Sequence, residues 1–248
     1  MTPFAIRLTF HGDLSFFLKS KRPGIERQLS ERTSIKDVIE ACGVPHTEVD
    51  VILVNDHPVD FAAILTQDAV VDVYPPNGPS SPLFSENRLQ VRDIERFVAD
   101  GHLGKLVRDL RLLGIDVTYD RAAEDRQLVR TASDENRALL TRDRRLLMHA
   151  AVRHGYYLRS QNPLEQTVEV LRRFNLSNAF TPFSRCLRCN ESLEPAKKAE
   201  VFDDLEPLTR IYYEQFRRCR GCGQVYWSGS HFDKLRARVE EIRATVVN

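Results

Sequence analysis

Two stretches decide the fold: Arg96-Phe-Val-Ala-Asp100-Gly-His-Leu-Gly104 and Arg137-Ala-Leu-Leu-Thr141-Arg-Asp143-Arg-Arg145. In each, a short apolar run ends on an aspartate and a helical pattern follows. After Asp100, the residues Leu103, Leu106, Val107, Leu110 and Leu113 fall on one helical face, and Gly114 supplies a stop. Ile115–Tyr119 reads as the next strand, Asp125–Ser133 as a helix and Arg137–Thr141 as a strand. Arg144–His154 reads as a helix ending at Gly155, Tyr156–Leu158 as a strand and Pro163–Phe174 as a helix. Strands that alternate with helices call for a mostly parallel sheet covered on both faces, and hence for an α/β fold.

Working outward toward the N-terminus, Pro75–Pro82 holds four prolines, a glycine and two serines. It reads as a stiff linker. Before it, residues 4–10 and 14–18 flank His11-Gly12-Asp13 and read as a hairpin. Ser34-Ile-Lys-Asp37 resembles a capping box at a helix start, with Gly43 as the stop. Asp50–Asn55 and Val70–Tyr74 read as further strands. The β-β-α-β-β order resembles the β-grasp, ubiquitin-like fold, in particular its small sulfur-carrier group. Carriers act through a C-terminal Gly-Gly, and none follows Tyr74. A binding or scaffolding role, with a protein partner, is the expectation for this segment. The expected division is 1–78 as the β-grasp domain, 79–84 as linker, 85–178 as the α/β domain and 179–248 as a metal ribbon with a closing helix over Leu235–Val247.

The chain of 248 residues is net +1, with 42% hydrophobic and 29% charged residues, ordinary for a soluble globular protein. Residues 1–78 are net acidic, whereas the surplus of arginine lies beyond them. No apolar run reaches the roughly 18 residues of a spanning helix, and the N-terminus reads as a mature strand. The expected compartment is the cytosol, with no membrane association.

Four of the five cysteines form Cys186-Leu-Arg-Cys189 and Cys219-Arg-Gly-Cys222. Each pair offers two thiolates to one ion, and two pairs complete a tetrahedral S₄ site that favours zinc in a structural role. Such usage suits a reducing compartment. Basic and aromatic residues between the pairs, among them Lys197, Lys198, Arg210, Tyr212, Tyr213, Phe216, Arg217 and Arg218, fit either a single-strand clamp or the packing of the ribbon itself.

Asp100 and Asp143 both fall at carboxyl ends of expected strands, where α/β sheets place their functional crevice. Asp120 and Asp125 follow a third strand, and Asp125 ranks above Asp120. Glu135 precedes its strand and belongs to the opposite end. Close carboxylates repel unless a cation lies between them, and Mg²⁺ or Mn²⁺ takes such oxygen ligands. An ion held this way activates water and neutralises phosphoryl charge, so phosphodiester hydrolysis is the natural reaction class. Singly, each aspartate also suits the cap of the helix that follows it.

Residues 95–235 resemble the Mut7-C ribonuclease domain, a branch of the PIN-like nucleases. The resemblance rests on Phe97–Gly114, Glu124-Asp125-x-x-Leu128, Arg137-Ala-Leu-Leu-Thr141-Arg-Asp143, the paired cysteines and Tyr226-Trp227-Ser-Gly-Ser-His231. The β-grasp segment is similar to the ubiquitin-like partner often fused to this domain. The resemblance implies a metal-dependent ribonuclease with Asp100 and Asp143 as Mg²⁺ or Mn²⁺ ligands, Asp125 as a third catalytic carboxylate and no fourth identified. It further implies contacts to RNA from Lys105, Arg142, Arg144 and His231. The competing expectation is a non-catalytic RNA- or ribosome-binding adaptor that grips through the ribbon.

Overall fold

The computed structural model describes residues 2–76, 82–177 and 180–247. The expected linker falls largely on residues 77–81, and the boundary at 178–179 on two more, all outside the described residues. In chain order the elements begin with β1 (Phe4–Phe10), β2 (Gly24–Leu29), β3 (Thr33–Ser34), α1 (Ile35–Ala41), β4 (Val51–Val54), β5 (His57–Val59), β6 (Ile64–Leu65), β7 (Ala69–Tyr74) and α2 (Pro82–Glu86). There follow β8 (Arg96–Ala99), α3 (Gly104–Leu112), β9 (Asp116–Tyr119), α4 (Asp125–Asp134), β10 (Ala138–Thr141), α5 (Arg144–Leu147), β11 (Gly155–Tyr157) and α6 (Pro163–Arg173). The last elements are β12 (Leu193–Ala196), α7 (Lys198–Val201), α8 (Pro207–Tyr212), β13 (Phe216–Cys219), β14 (Val225–Trp227) and α9 (Ser230–Val247). They form two compact units: Met1–Arg92 with Glu124–Tyr157, and Asp93–Ala123 with Leu158–Asn248.

The first unit contains a five-stranded sheet in the order β2-β1-β7-β4-β5. β1 runs antiparallel to β2 and parallel to β7, while β4 runs antiparallel to both β7 and β5. Alternation along β1 sends Phe4, Ile6, Leu8 and Phe10 inward, and α1 lays Ile35, Val38 and Ile39 over the same core. This is the β-grasp arrangement expected from the sequence. Ser34 caps α1 by accepting from the Asp37 N–H at 3.1 Å. Its hydroxyl also donates to the Asp37 carboxylate at 2.6 Å.

The hairpin expected over 4–10 and 14–18 does not form. Gly12–Phe17 is instead a 3₁₀ helix that buries Leu14 and Phe17. The partner of β1 is β2, with Phe10 N–H donating to Pro23 O. An apolar run such as Leu14-Ser-Phe-Phe-Leu18 satisfies a period of three as readily as a period of two. Cys42 lies buried at the end of α1, where burial raises its thiol above the usual range.

The rest of this unit packs against the turns Gly12–Phe17 and His46–Glu48. β10 and β11 pair in parallel, and β10 is buried along its whole length, as a strand covered on both faces must be. The helix after Asp143 is shorter than expected. α5 ends at Leu147 because a turn follows, with Val152 N–H donating to His149 O and Val152 fully buried. The buried Glu48 carboxylate accepts from Tyr157 N–H at 2.7 Å. The His46 ring bridges the Glu40 carboxylate and the Val152 carbonyl. Gly155 passes so close to Leu147 and Leu139 that a Cβ there would lie 2.6 Å from the Leu147 side chain.

The second unit holds the parallel pair β8 and β9, the helices α3, α6 and α9, and the antiparallel ribbon β12-β13-β14. Asp109 of α3 bolts the helices together. It accepts from the Arg238 guanidinium of α9 at 2.5 Å and from Thr167 of α6 at 3.5 Å. That carboxylate holds Arg238 more firmly protonated than usual.

Candidate active site and metal centre

Asp100 follows the three buried residues Phe97, Val98 and Ala99 of β8. Its carboxylate accepts from His102 N–H at 3.3 Å and caps the 3₁₀ turn Gly101–Leu103. The two glycines of this motif are required by the neighbouring strand. A Cβ on Gly101 would lie 2.5 Å from Arg121 O, and one on Gly104 would lie 2.9 Å from the Tyr119 hydroxyl. Tyr119 in turn donates to Gly101 O at 2.8 Å. Ala99 and Tyr119 are register partners in the parallel pair, so the next residues, Asp100 and Asp120, end adjacent strands at the same edge. Asp120 accepts from Ala122 N–H at 2.9 Å and is exposed.

Asp143 is built in the same manner. Thr141, fully buried at the end of β10, accepts from Asp143 N–H at 3.0 Å. The Asp143 carboxylate caps α5 by accepting from Arg145 N–H at 2.7 Å. Asp125 lies in the first turn of α4, whose cap is Glu124, with Glu124 N–H donating to the Gln127 side chain at 2.9 Å. Asp125 lines a cleft of about 600 Å³ shared with Arg126, Arg130, Arg145 and His149. Both Asp125 and Asp143 face solvent. Glu135 pairs with Arg137 at 2.6 Å before β10 begins, at the end of the strand away from Asp143.

The cations expected to meet substrate are placed differently from one another. Lys105 and His231 are exposed, on α3 and α9, and Arg142 is half-buried between Thr141 and Asp143. Arg144 is committed elsewhere. It donates to Phe17 O at 2.8 Å, and its guanidinium lies 5.1 Å from the Phe17 ring centre and 5.8 Å from that of Tyr157.

The structure brings the four ribbon cysteines together. All four Sγ atoms lie within 4.8 Å of one another, with Cys186 and Cys222 3.7 Å apart and Cys189 and Cys219 3.3 Å apart. A zinc ion with Zn–S bonds of about 2.3 Å sets tetrahedral sulfurs roughly 3.8 Å apart, so the donor set fits a metal such as zinc. Burial opposes ionisation of Cys186, but the Tyr226 hydroxyl at 3.1 Å and the N–H groups of Cys189 and Arg188 outweigh it and bring the thiol down to about 6. Burial, aided by the adjoining sulfurs, pushes Cys219 up to about 12. Four crowded thiols cannot all ionise without a cation among them.

This knuckle is anchored to the parallel pair. The buried Arg111 of α3 donates to Val117 O of β9 and to Leu187 O and Arg188 O of the first cysteine turn. Asn190 accepts from Val117 N–H at 3.0 Å and donates to Asp116 at 2.8 Å. Neither Arg111 nor Asn190 stood out in the sequence. Their signal is positional, since one follows an amphipathic helix inward and the other sits next to a metal ligand. The position of Asp120 beside Asp100 was likewise hidden until the register of β8 and β9 was known.

The Mut7-C RNAse domain family model matches residues 95–239, and the Mut7-C ubiquitin model matches residues 4–80. None of the curated proteins matches the chain. Among the described residues, no helix is long and apolar enough to cross a membrane.

Proposed function

From the premise that the chain belongs to the Mut7-C RNAse domain family, we propose that it is a metal-dependent ribonuclease that hydrolyses RNA phosphodiester bonds. Asp100 and Asp143 hold Mg²⁺ or Mn²⁺, with Asp125 as a third carboxylate and Asp120 as the fourth. The observation that carries this reading is local and repeated. Asp100, Asp120 and Asp143 each follow the last residue or turn of a parallel strand, each fixed by a backbone N–H two residues on. Among the described residues, Asp120 and Asp143 each accept through one oxygen, which keeps their other lone pairs for a cation.

When bound, the ion supplies an activated water and neutralises charge on the scissile phosphate. The carboxylates would hold that ion, orient a water for in-line attack and accept its proton. Lys105, Arg142 and His231 contact the RNA backbone, and Arg144 acts as a tie that steadies the turn carrying Asp143. The cysteine set holds zinc in a structural role, because four protein ligands leave no open position. The proposed division is a β-grasp domain over 1–78, a nuclease domain over 85–178 and a zinc ribbon with its closing helix over 179–248. The β-grasp domain serves as a binding face for a protein partner. A reducing, cytosolic setting suits the unpaired thiols.

The test is cleavage of mixed single-stranded and structured RNA with Mg²⁺ or Mn²⁺, comparing wild type with Asp100→Asn and Asp143→Asn. Cleavage that depends on the added ion and vanishes in both variants supports the assignment. RNA binding with no cleavage under either ion makes the protein a non-catalytic RNA-binding adaptor instead.

A further inference from the structure

The ribbon insert is rich in basic and aromatic residues, and the structure sorts them. Phe216 is buried with Val201, Leu205 and Val225 in the small core of the ribbon, and Tyr213 packs on it. Most of the insert's cations are occupied. Lys198 pairs with Glu214 at 2.5 Å, Arg218 with Asp204 at 3.7 Å, and Arg210 donates to Leu205 O while covering the Phe202 ring. The insert therefore does not form a uniform basic clamp.

What remains is a groove of about 1130 Å³ within the second unit, walled by the ribbon, α8, α3 and the start of α9. Two aromatic rings stand open beside it: Tyr212, 73% exposed, and Trp227, 36% exposed. Gly229 crowds the Trp227 indole. A Cβ on Gly229 would lie 2.7 Å from the indole nitrogen, and Gly229 N–H donates back to Trp227 O at 3.0 Å. Open aromatic rings beside a groove offer faces on which planar groups can stack.

The charge around the groove selects the occupant. Its single carboxylate, Glu214, is already paired with Lys198. Arg108 of α3 reaches the groove from outside the insert, is exposed and makes no ion pair among the described residues. Arg217 is exposed beside it, and His231 completes the rim. Open aromatic rings with exposed cations beside them are complementary to bases joined by phosphates. At about 1130 Å³ the groove stands at the upper end of the small-ligand range of about 300–1,000 Å³, with room for more than one base.

We infer that this groove is a single-strand subsite, in which unpaired RNA bases stack on Trp227 and Tyr212 while Arg108 and His231 meet the adjoining phosphates. The inference rests on the ribonuclease reading for the identity of the nucleic acid. It assigns the protein a preference for unpaired RNA, because bases within a duplex have no free face to offer.

Trp227 is the sole tryptophan of the chain, so intrinsic emission reports on the groove directly. The full chain carrying Asp143→Asn, which keeps RNA intact, is titrated with a ten-nucleotide single-stranded RNA and with a duplex of equal length. The single strand is expected to quench Trp227 emission and the duplex is not. Binding of dye-labelled RNA, read by anisotropy, is expected to weaken roughly tenfold in Trp227→Ala and comparably in Gly229→Ala, which displaces the indole while the zinc content stays unchanged. Arg108→Ala is expected to reduce the salt dependence of binding by about 0.7 in log–log slope, one single-strand phosphate contact. Equal quenching by duplex, or RNA binding with unchanged emission and unchanged affinity in Trp227→Ala and Arg108→Ala, overturns the subsite. Wild-type cleavage is assayed in parallel. Cleavage without quenching removes the subsite and leaves the ribonuclease, whereas quenching without metal-dependent cleavage does the reverse.

Discussion

The cysteine knuckle, whose sulfurs could hold a metal, and the strand-end aspartates, which we propose as ligands of a second ion, are built in opposite ways. The four sulfurs already lie within 4.8 Å of one another. They are held by hydrogen bonds from Tyr226 and by the Arg111 and Asn190 anchors. The aspartates face solvent wholly or in part, and each accepts from a backbone N–H of its own turn. A set that must hold the fold is preassembled and closed. A set that must exchange water and substrate is left open, with each ligand steadied locally. On the proposed reading, ligand type and the degree to which each ligand depends on its neighbours would separate a soft, permanent ion from a hard, exchangeable one.

The largest expected effect comes from breaking the knuckle. Cys219→Ser is expected to abolish stoichiometric zinc and to lower the melting temperature by about 10 °C or more, because structural zinc binding is folding energy. Metal analysis and calorimetry check both. An equally stable, zinc-free variant would place the knuckle outside the fold's support.

Next come the strand-end aspartates. Asparagine caps a helix as well as aspartate does, so Asp100→Asn and Asp143→Asn keep the hydrogen bonds to His102 N–H and Arg145 N–H. Each is expected to lower cleavage by about a hundredfold or more, some 3 kcal/mol of activation free energy, with a melting temperature close to wild type. Asp143→Ala, which loses the cap too, is expected to cost about 1 kcal/mol of stability in addition. Equal stability of the Asn and Ala variants would show that the cap contributes nothing.

A smaller effect is expected at Arg144, whose guanidinium ties the Asp143 turn to Phe17 and Tyr157. Arg144→Ala removes a hydrogen bond and ring contacts and is expected to cost about 1–2 kcal/mol in urea unfolding. Turnover is expected to fall several-fold while the KM for RNA stays unchanged. A raised KM at unchanged turnover would make Arg144 a substrate contact.

The sequence made the two donor sets legible to different degrees, for physical reasons. Cysteine spacing encodes a knuckle locally, so all four ligands could be read from Cys186-x-x-Cys189 and Cys219-x-x-Cys222. Strand-end positions of Asp100 and Asp143 follow from local apolar runs and are equally local. Asp120 reads from the sequence as a loop residue, because its place beside Asp100 depends on the pairing of Ala99 with Tyr119, which no local pattern specifies. The β-grasp order was legible from alternation and from the Ser34 cap. The segment Gly12–Phe17 was not, because its apolar run fits a strand and a 3₁₀ turn alike. α5 stops early at Leu147 although the following residues favour a helix, because the turn at His149 delivers Val152 to the core. Arg108 escaped notice as a groove residue because it lies on α3, about a hundred positions from the insert whose rings it accompanies.

The central claim is that the chain holds two kinds of metal set, one closed and one open. Its most direct measurement is Mn²⁺ binding, followed by electron paramagnetic resonance on zinc-loaded protein, for wild type, Asp100→Asn and Asp143→Asn. The account predicts Mn²⁺ binding in wild type that is weakened at least tenfold in both variants, with one equivalent of zinc retained throughout. Mn²⁺ binding that is unchanged in both variants, or that occurs only as zinc is displaced from the cysteines, would contradict it.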